Sequence, residues 1–140
     1  MTPGNILQDD RAVRAMLALY RRVAIVGLSP KPDRDSYKVA AYLQKNGYII
    51  LPVRPGQKEI LGETTYSSLD DIIGPVDIVT VFRRSDQVLP HATEALRLRP
   101  KLFWMQLGIE NPAAAQLLTA AGIDVIMNRC MKIEHERRFG

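Results

Sequence analysis

The chain has 140 residues, the length of one domain, enough to bury a core and too short for two catalytic domains around a cleft. With 46% hydrophobic and 24% charged residues, and no apolar run near the roughly 20 residues a membrane helix needs, disordered, collagen-like and membrane-spanning classes are excluded. A formal charge of +4 favours anionic partners, but the pairs Arg21-Arg22, Arg83-Arg84 and Arg137-Arg138 are too dispersed to indicate nucleic acid.

An acid-containing start with no continuous apolar stretch does not resemble a secretory signal. The lone Cys130 cannot close an internal disulfide, so a reducing cytoplasm is the expected compartment.

The first periodic segment is helical, over 10–20, with Val13, Met16, Leu17 and Tyr20 on one face. A Val/Ile-rich run from Val23 is the first strand, followed by a turn and a helix over 37–45 that Gly47 stops. The second strand runs from Tyr48. A long irregular stretch over 54–67, with Pro55, Gly56 and Gly62, is a candidate binding loop, and Ser68 starts a short helical turn ended by Gly74 and Pro75.

A third strand from Val76 leads to a helix over 87–98, for which Ser85 or Asp86 is the expected cap. The fourth strand begins at Lys101. Asn111 followed by Pro112 reads as the start of a helix that Gly122 ends, and a short fifth strand follows from Ile123. Residues 128–140 read as a basic tail.

Alternating strands and helices of this kind predict one α/β domain over 1–140: a Rossmann-like, doubly wound, mainly parallel five-stranded sheet flanked by helices. Its expected strand order is 3-2-1-4-5, which places the ligand crevice at the carboxyl ends of the first and fourth strands.

The first strand ends at Gly27-Leu28-Ser29, and the turn that follows opens a helix near Ser36 whose free N–H groups suit a phosphate. Gly27 allows a sharp turn with no side chain against a ligand. Ser29 and Ser36 offer hydroxyls, and Lys31, Arg34 and Lys38 offer charge. The dinucleotide fingerprint G-x-G-x-x-G is not met, because the second and third glycines are missing. The second strand closes on Arg54-Pro55 where an NAD site would carry an acid, which favours a ribose bearing a phosphate, as in NADP or coenzyme A.

Taken together, several segments resemble the stand-alone CoA-binding domain family of bacteria. They are Val26-Gly27-Leu28-Ser29, Pro52-Val53-Arg54-Pro55, Val81-Phe82-Arg83-Arg84, Trp104-Met105-Gln106-Leu107-Gly108 and Asn128-Arg129-Cys130-Met131. The fold is also similar to the CoA-binding domains of the succinyl-CoA synthetase alpha subunit and the NDP-forming acyl-CoA synthetases. The resemblance implies that Gly27, Leu28, Ser29, Lys31, Ser36 and Tyr37 hold phosphate, and that Arg54, Pro55 and Lys58 lie along the nucleotide. It implies further that Phe82, Arg83, Gln106 and Gly108 line the rest of the crevice, and of the pair Arg83-Arg84, directly after a strand at the expected ligand edge, one is expected to touch phosphate. The lysine of the larger synthetases falls nearest Gln57 here, with Lys58 one position later. Their phosphorylated histidine sits in a second domain that this sequence lacks, so acyl-CoA synthesis by this chain alone is not expected.

No catalytic constellation emerges. Cys130 reads as a small apolar residue rather than a reactive thiolate partner of the CoA thiol, and Cys130, Glu134 and His135 are poorly spaced for zinc. His91 and His135 lack a serine or cysteine at a triad spacing, and Trp104 reads as core. The expected function is binding of coenzyme A or a short acyl-CoA as a small-molecule ligand, with no nucleic acid and no membrane, and a protein partner or homo-oligomer left open. Two other readings are an NADP-dependent oxidoreductase or redox sensor with its hydride site near Phe82 and Gln106, and a regulatory subunit docking on a partner through the tail from Glu134 to Gly140.

Overall fold

The computed structural model describes residues 2–140. Its strands are β1 (Arg22–Val26), β2 (Ile49–Val53), β3 (Glu59–Ile60), β4 (Glu63–Thr64), β5 (Ile78–Val81), β6 (Leu102–Met105) and β7 (Asp124–Ile126). The helices are α1 (Asp10–Leu19), α2 (Asp35–Lys45), α3 (Val88–Leu98), α4 (Pro112–Ala120) and α5 (Met131–Phe139). Five strands form one all-parallel sheet in the order β2-β1-β5-β6-β7.

Successive residues of a strand point to opposite faces, and each face has its own core. On one side Val23, Ile25, Ile50, Ile78, Trp104 and Ile126 pack under α1, α2 and α5. On the other, Ala24, Val26, Val53, Val79, Phe103 and Val125 pack under α3, α4 and the 3-10 turn at Leu69–Asp71. Trp104 is a core residue, fully buried, with its indole N–H donating to the Arg129 carbonyl at 2.6 Å.

The expected order 3-2-1-4-5 is corrected. The third main strand, β5, lies beside β1 on the side away from β2, so the crevice falls between β1 and β5 and not at the fourth main strand, β6. The connection from β1 to β2 runs over the α2 face, whereas that from β2 to β5 places Leu69, Ile72 and Val76 on the opposite face. A right-handed crossover on the opposite face must travel the opposite way along the sheet, which carries β5 back past β1. Burial agrees: all four residues of β5 are buried, while Ile49 on the edge strand β2 is 48% exposed.

Two further differences concern local elements. Within the long loop, Leu61 and Gly62 both have positive φ, 55° and 77°, and make the two-residue turn of the small antiparallel hairpin β3–β4. Ser85 does not cap α3, because its Oγ accepts the N–H of Glu110 at 3.0 Å. Asn111 does cap α4, accepting from the N–H of Ala114 at 2.9 Å.

The segment read as a basic tail is helical over Met131–Phe139, with Met131, Glu134 and His135 buried on one face. Glu134 accepts from Arg129 at 2.9 Å and Arg138 at 2.7 Å, while the Tyr42 hydroxyl and His135 Nδ1 are 2.7 Å apart. Burial pushes the His135 imidazole below its ordinary range and Arg21 adds to this, with Glu136 opposing. Thus α5 is anchored by polar side chains that have found partners.

Candidate functional site

At the carboxyl edge of the sheet the exits of β1 and β5 nearly touch. The Phe82 N–H donates to the Val26 carbonyl at 2.9 Å, and the Gly27 N–H donates to the Val53 carbonyl at 2.9 Å. Gly27 sits at φ +81°, and a Cβ there would lie 2.7 Å from the Phe82 carbonyl oxygen. Glycine at this position therefore lets two strand ends close up. Its own amide is already spent on β2.

The turn into α2 is organised by its serines. The Ser29 N–H donates to Ser36 Oγ at 2.9 Å, and Ser29 Oγ accepts from the Lys31 N–H at 3.1 Å. In both bonds the hydroxyl is the acceptor, so each retains its proton for a further acceptor. No side chain caps the N-terminus of α2, so the positive end of that helix opens onto the same turn.

Three contiguous cavities follow this edge, and Phe82 lines all of them. The first, about 470 Å³, lies over the turn between Ser29, Lys31, Arg34, Ser36 and Arg54. The second, about 550 Å³, extends toward β2 and is walled by Val53, Arg54, Ser67, Arg83, His91 and Glu94. The third, about 340 Å³, extends toward β6 and α5 between Val39, Phe82, Leu107, Ile109, Cys130 and Ile133. Such volumes are typical of small-molecule sites. Among the described residues, Lys31, Arg34, Arg54 and Arg83 are in no ion pair, although they crowd the first two cavities.

On the far wall, Glu94 is held from two sides. His91 Nδ1 is 3.1 Å from one carboxylate oxygen, and the Ser68 hydroxyl donates to the other at 3.0 Å. Ser67 closes the 54–67 stretch read as a candidate binding loop, but the sequence offered no sign that Ser68 and Glu94 would face this cavity, since they reach it only because the 54–77 crossover packs against α3.

The remaining candidates are distributed as follows. Leu28 is fully buried in the core under α2, and Tyr37 is half-buried against the same core. Pro55 lines the cavity near β2 beside Arg54. Lys58 is exposed at the start of the hairpin, its carbonyl accepting from Thr65, and lines none of the three cavities. Arg84 points to Asp86 at 3.3 Å on the exposed surface. The Gly108 amide donates to Asn128 Oδ1 at 2.7 Å.

Gln106 is buried as a strut. Its Nε2 donates to Thr80 Oγ1 at 2.8 Å, and its Oε1 accepts the Met131 N–H at 3.1 Å, which caps α5. Cys130 is half-buried at the apolar cavity, and no group of three His, Cys, Asp or Glu side chains able to hold a metal occurs among the described residues. No helix is long and apolar enough to cross a membrane.

The sequence pattern of the family described as a CoA binding domain matches residues 21–136, which span the whole five-stranded sheet and the three cavities. The chain belongs to that family. Among its relatives, the uncharacterized protein YneT of Bacillus subtilis (strain 168) is 45% identical over 123 residues, 88% of this chain and 91% of that one. A solved structure from Thermus thermophilus, cell-free ID.343, is 40% identical with a TM-score of 0.89, covering 94% of this chain and 100% of its own. The dinucleotide-forming acetyl-coenzyme A synthetase 1 of Ca. Korarchaeum cryptofilum is similar at the level of fold alone. There the TM-score is 0.68 at 18% identity, over 79% of this chain and 26% of the synthetase.

Proposed function

We propose that this member of the family binds coenzyme A or a short acyl-CoA along the carboxyl ends of β1, β2 and β5, as a binding module without chemistry of its own. The observation that carries this reading is the set of four cations, Lys31, Arg34, Arg54 and Arg83, left without acidic partners around joined cavities at the open end of α2. Charge with no internal partner beside a helix N-terminus suits a polyanion, and the cofactor carries a pyrophosphate and a ribose phosphate. Gly27, Ser29 and Ser36 would cradle the pyrophosphate, Arg54 and Pro55 the phosphorylated ribose, and Phe82 the start of the pantetheine arm.

The test is calorimetric titration of the protein with CoA, dephospho-CoA, acetyl-CoA, NADP and NAD. The reading expects CoA or acetyl-CoA to bind most tightly and dephospho-CoA more weakly. Tighter binding of NADP than of CoA or acetyl-CoA would replace it with the oxidoreductase reading.

A further inference from the structure

The cavity between α2 and α5 is unlike the two basic ones that it joins. We infer that it seats a short, uncharged aliphatic acyl group, so that the ligand is an acyl thioester of coenzyme A in preference to the free thiol. This rests on the CoA reading above.

Three observations lead there. The wall is aliphatic and aromatic, from Val39, Phe82, Leu107, Ile109, Cys130 and Ile133, and the charged residues at its rim, Asp35, Lys38, Lys132 and Glu136, cancel in sign. Leu107 is 63% exposed and Ile133 45% exposed at this rim, so apolar surface stands open where a ligand would cover it. The polar groups deep in the wall are also spent internally. Both ends of the Gln106 amide are bonded, to Thr80 and to the Met131 N–H, and the Gln106 carbonyl accepts from Ile109 at 2.9 Å. A polar group seated against the deep wall, below the charged rim, would lose water and find no partner, whereas a hydrocarbon loses nothing.

Phe82 and Asp35 belong both to this cavity and to the phosphate cavity, so one molecule can occupy the two. One wall is α5, fixed by Glu134 and His135, and at about 340 Å³ the pocket covers a short chain beside the end of the pantetheine arm.

The experiment titrates the full chain with CoA, butyryl-CoA, succinyl-CoA and decanoyl-CoA, and repeats CoA and butyryl-CoA with Ile133→Asp. Burying one methylene fully gives about a fourfold gain. In a pocket this open, butyryl-CoA is expected to bind about tenfold tighter than CoA and tighter than succinyl-CoA, and decanoyl-CoA no tighter than butyryl-CoA because its further carbons pass the rim into water. Ile133→Asp, at a position 45% exposed, should weaken butyryl-CoA more than CoA and so remove the butyryl preference, with circular dichroism checking that the variant is folded. Equal affinity for CoA and butyryl-CoA, or a preference that survives Ile133→Asp, overturns the acyl pocket while leaving the CoA reading in place. If no CoA derivative binds, the CoA reading fails first and the pocket with it.

Discussion

Alanine at Gly27 probes the narrowest point of the site. Two costs follow from its position. A φ of +81° penalises any residue with a Cβ, by about 1–2 kcal/mol. The added Cβ also meets the Phe82 carbonyl oxygen at 2.7 Å and Arg83 Cδ at 3.3 Å. The arginine can move, but the carbonyl belongs to a chain tied to Val26 by a backbone hydrogen bond, so the ends of β1 and β5 must part. Overpacking of that kind adds about 1–2 kcal/mol, for a total near 3 kcal/mol. Gly56 is the control, since its φ is +79° and nothing lies within 4 Å of a Cβ there, leaving the conformational cost alone at about 1–2 kcal/mol. Urea unfolding followed by circular dichroism measures both variants on one scale. Gly27→Ala is expected to lose about 1–2 kcal/mol more than Gly56→Ala. Equal losses would mean that the approach of β1 to β5 does not constrain this position, and the reasoning about the crevice would be refuted.

Arg54→Ala should weaken CoA by about 1–3 kcal/mol while affecting dephospho-CoA less, read by titration calorimetry; equal losses would detach Arg54 from the ribose phosphate. Gln106→Leu leaves the buried Met131 N–H without an acceptor and should cost about 2 kcal/mol in urea unfolding, and no loss would show that the strut is dispensable. Because the folded state lowers the His135 pKa, the unfolded chain binds more protons once the pH falls below about 6.5, so stability drops as acid is added through that point. The urea midpoint should accordingly fall between about pH 7.5 and pH 5.5, with a shallower fall in His135→Gln. Glu134→Gln removes the buried carboxylate that pairs with Arg129 and Arg138, leaving them the exposed carboxylate of Asp10, and about 1–3 kcal/mol should be lost in the same assay.

Several parts of this fold can be read directly from the chain. Short apolar runs place the starts of all five main strands within two residues, and Asn111-Pro112 opens α4 through the side-chain cap expected of it. Gly47, at φ +89°, follows α2 as the sequence indicates. The helix α5 is hidden by its own chemistry. Its buried positions Met131, Glu134 and His135 have helical spacing, but two of the three are polar and read as solvent-facing until Arg129, Arg138 and Tyr42 are brought to them.

The site divides along the same line. Gly27, Ser29, Ser36 and Arg54 follow strand ends, where a local pattern places them, whereas His91 and Glu94 lie in mid-helix and Ser67 and Ser68 in a crossover. Backbone propensity, capping and apolar periodicity act over a few residues, so the order of strands and helices was already present in the one-dimensional chain. The side of β1 on which β5 lies depends on which face of the sheet receives residues 54–77, and α5 is held by bonds reaching back as far as Asp10. Those choices are contacts between segments remote in sequence, and no local preference encodes them.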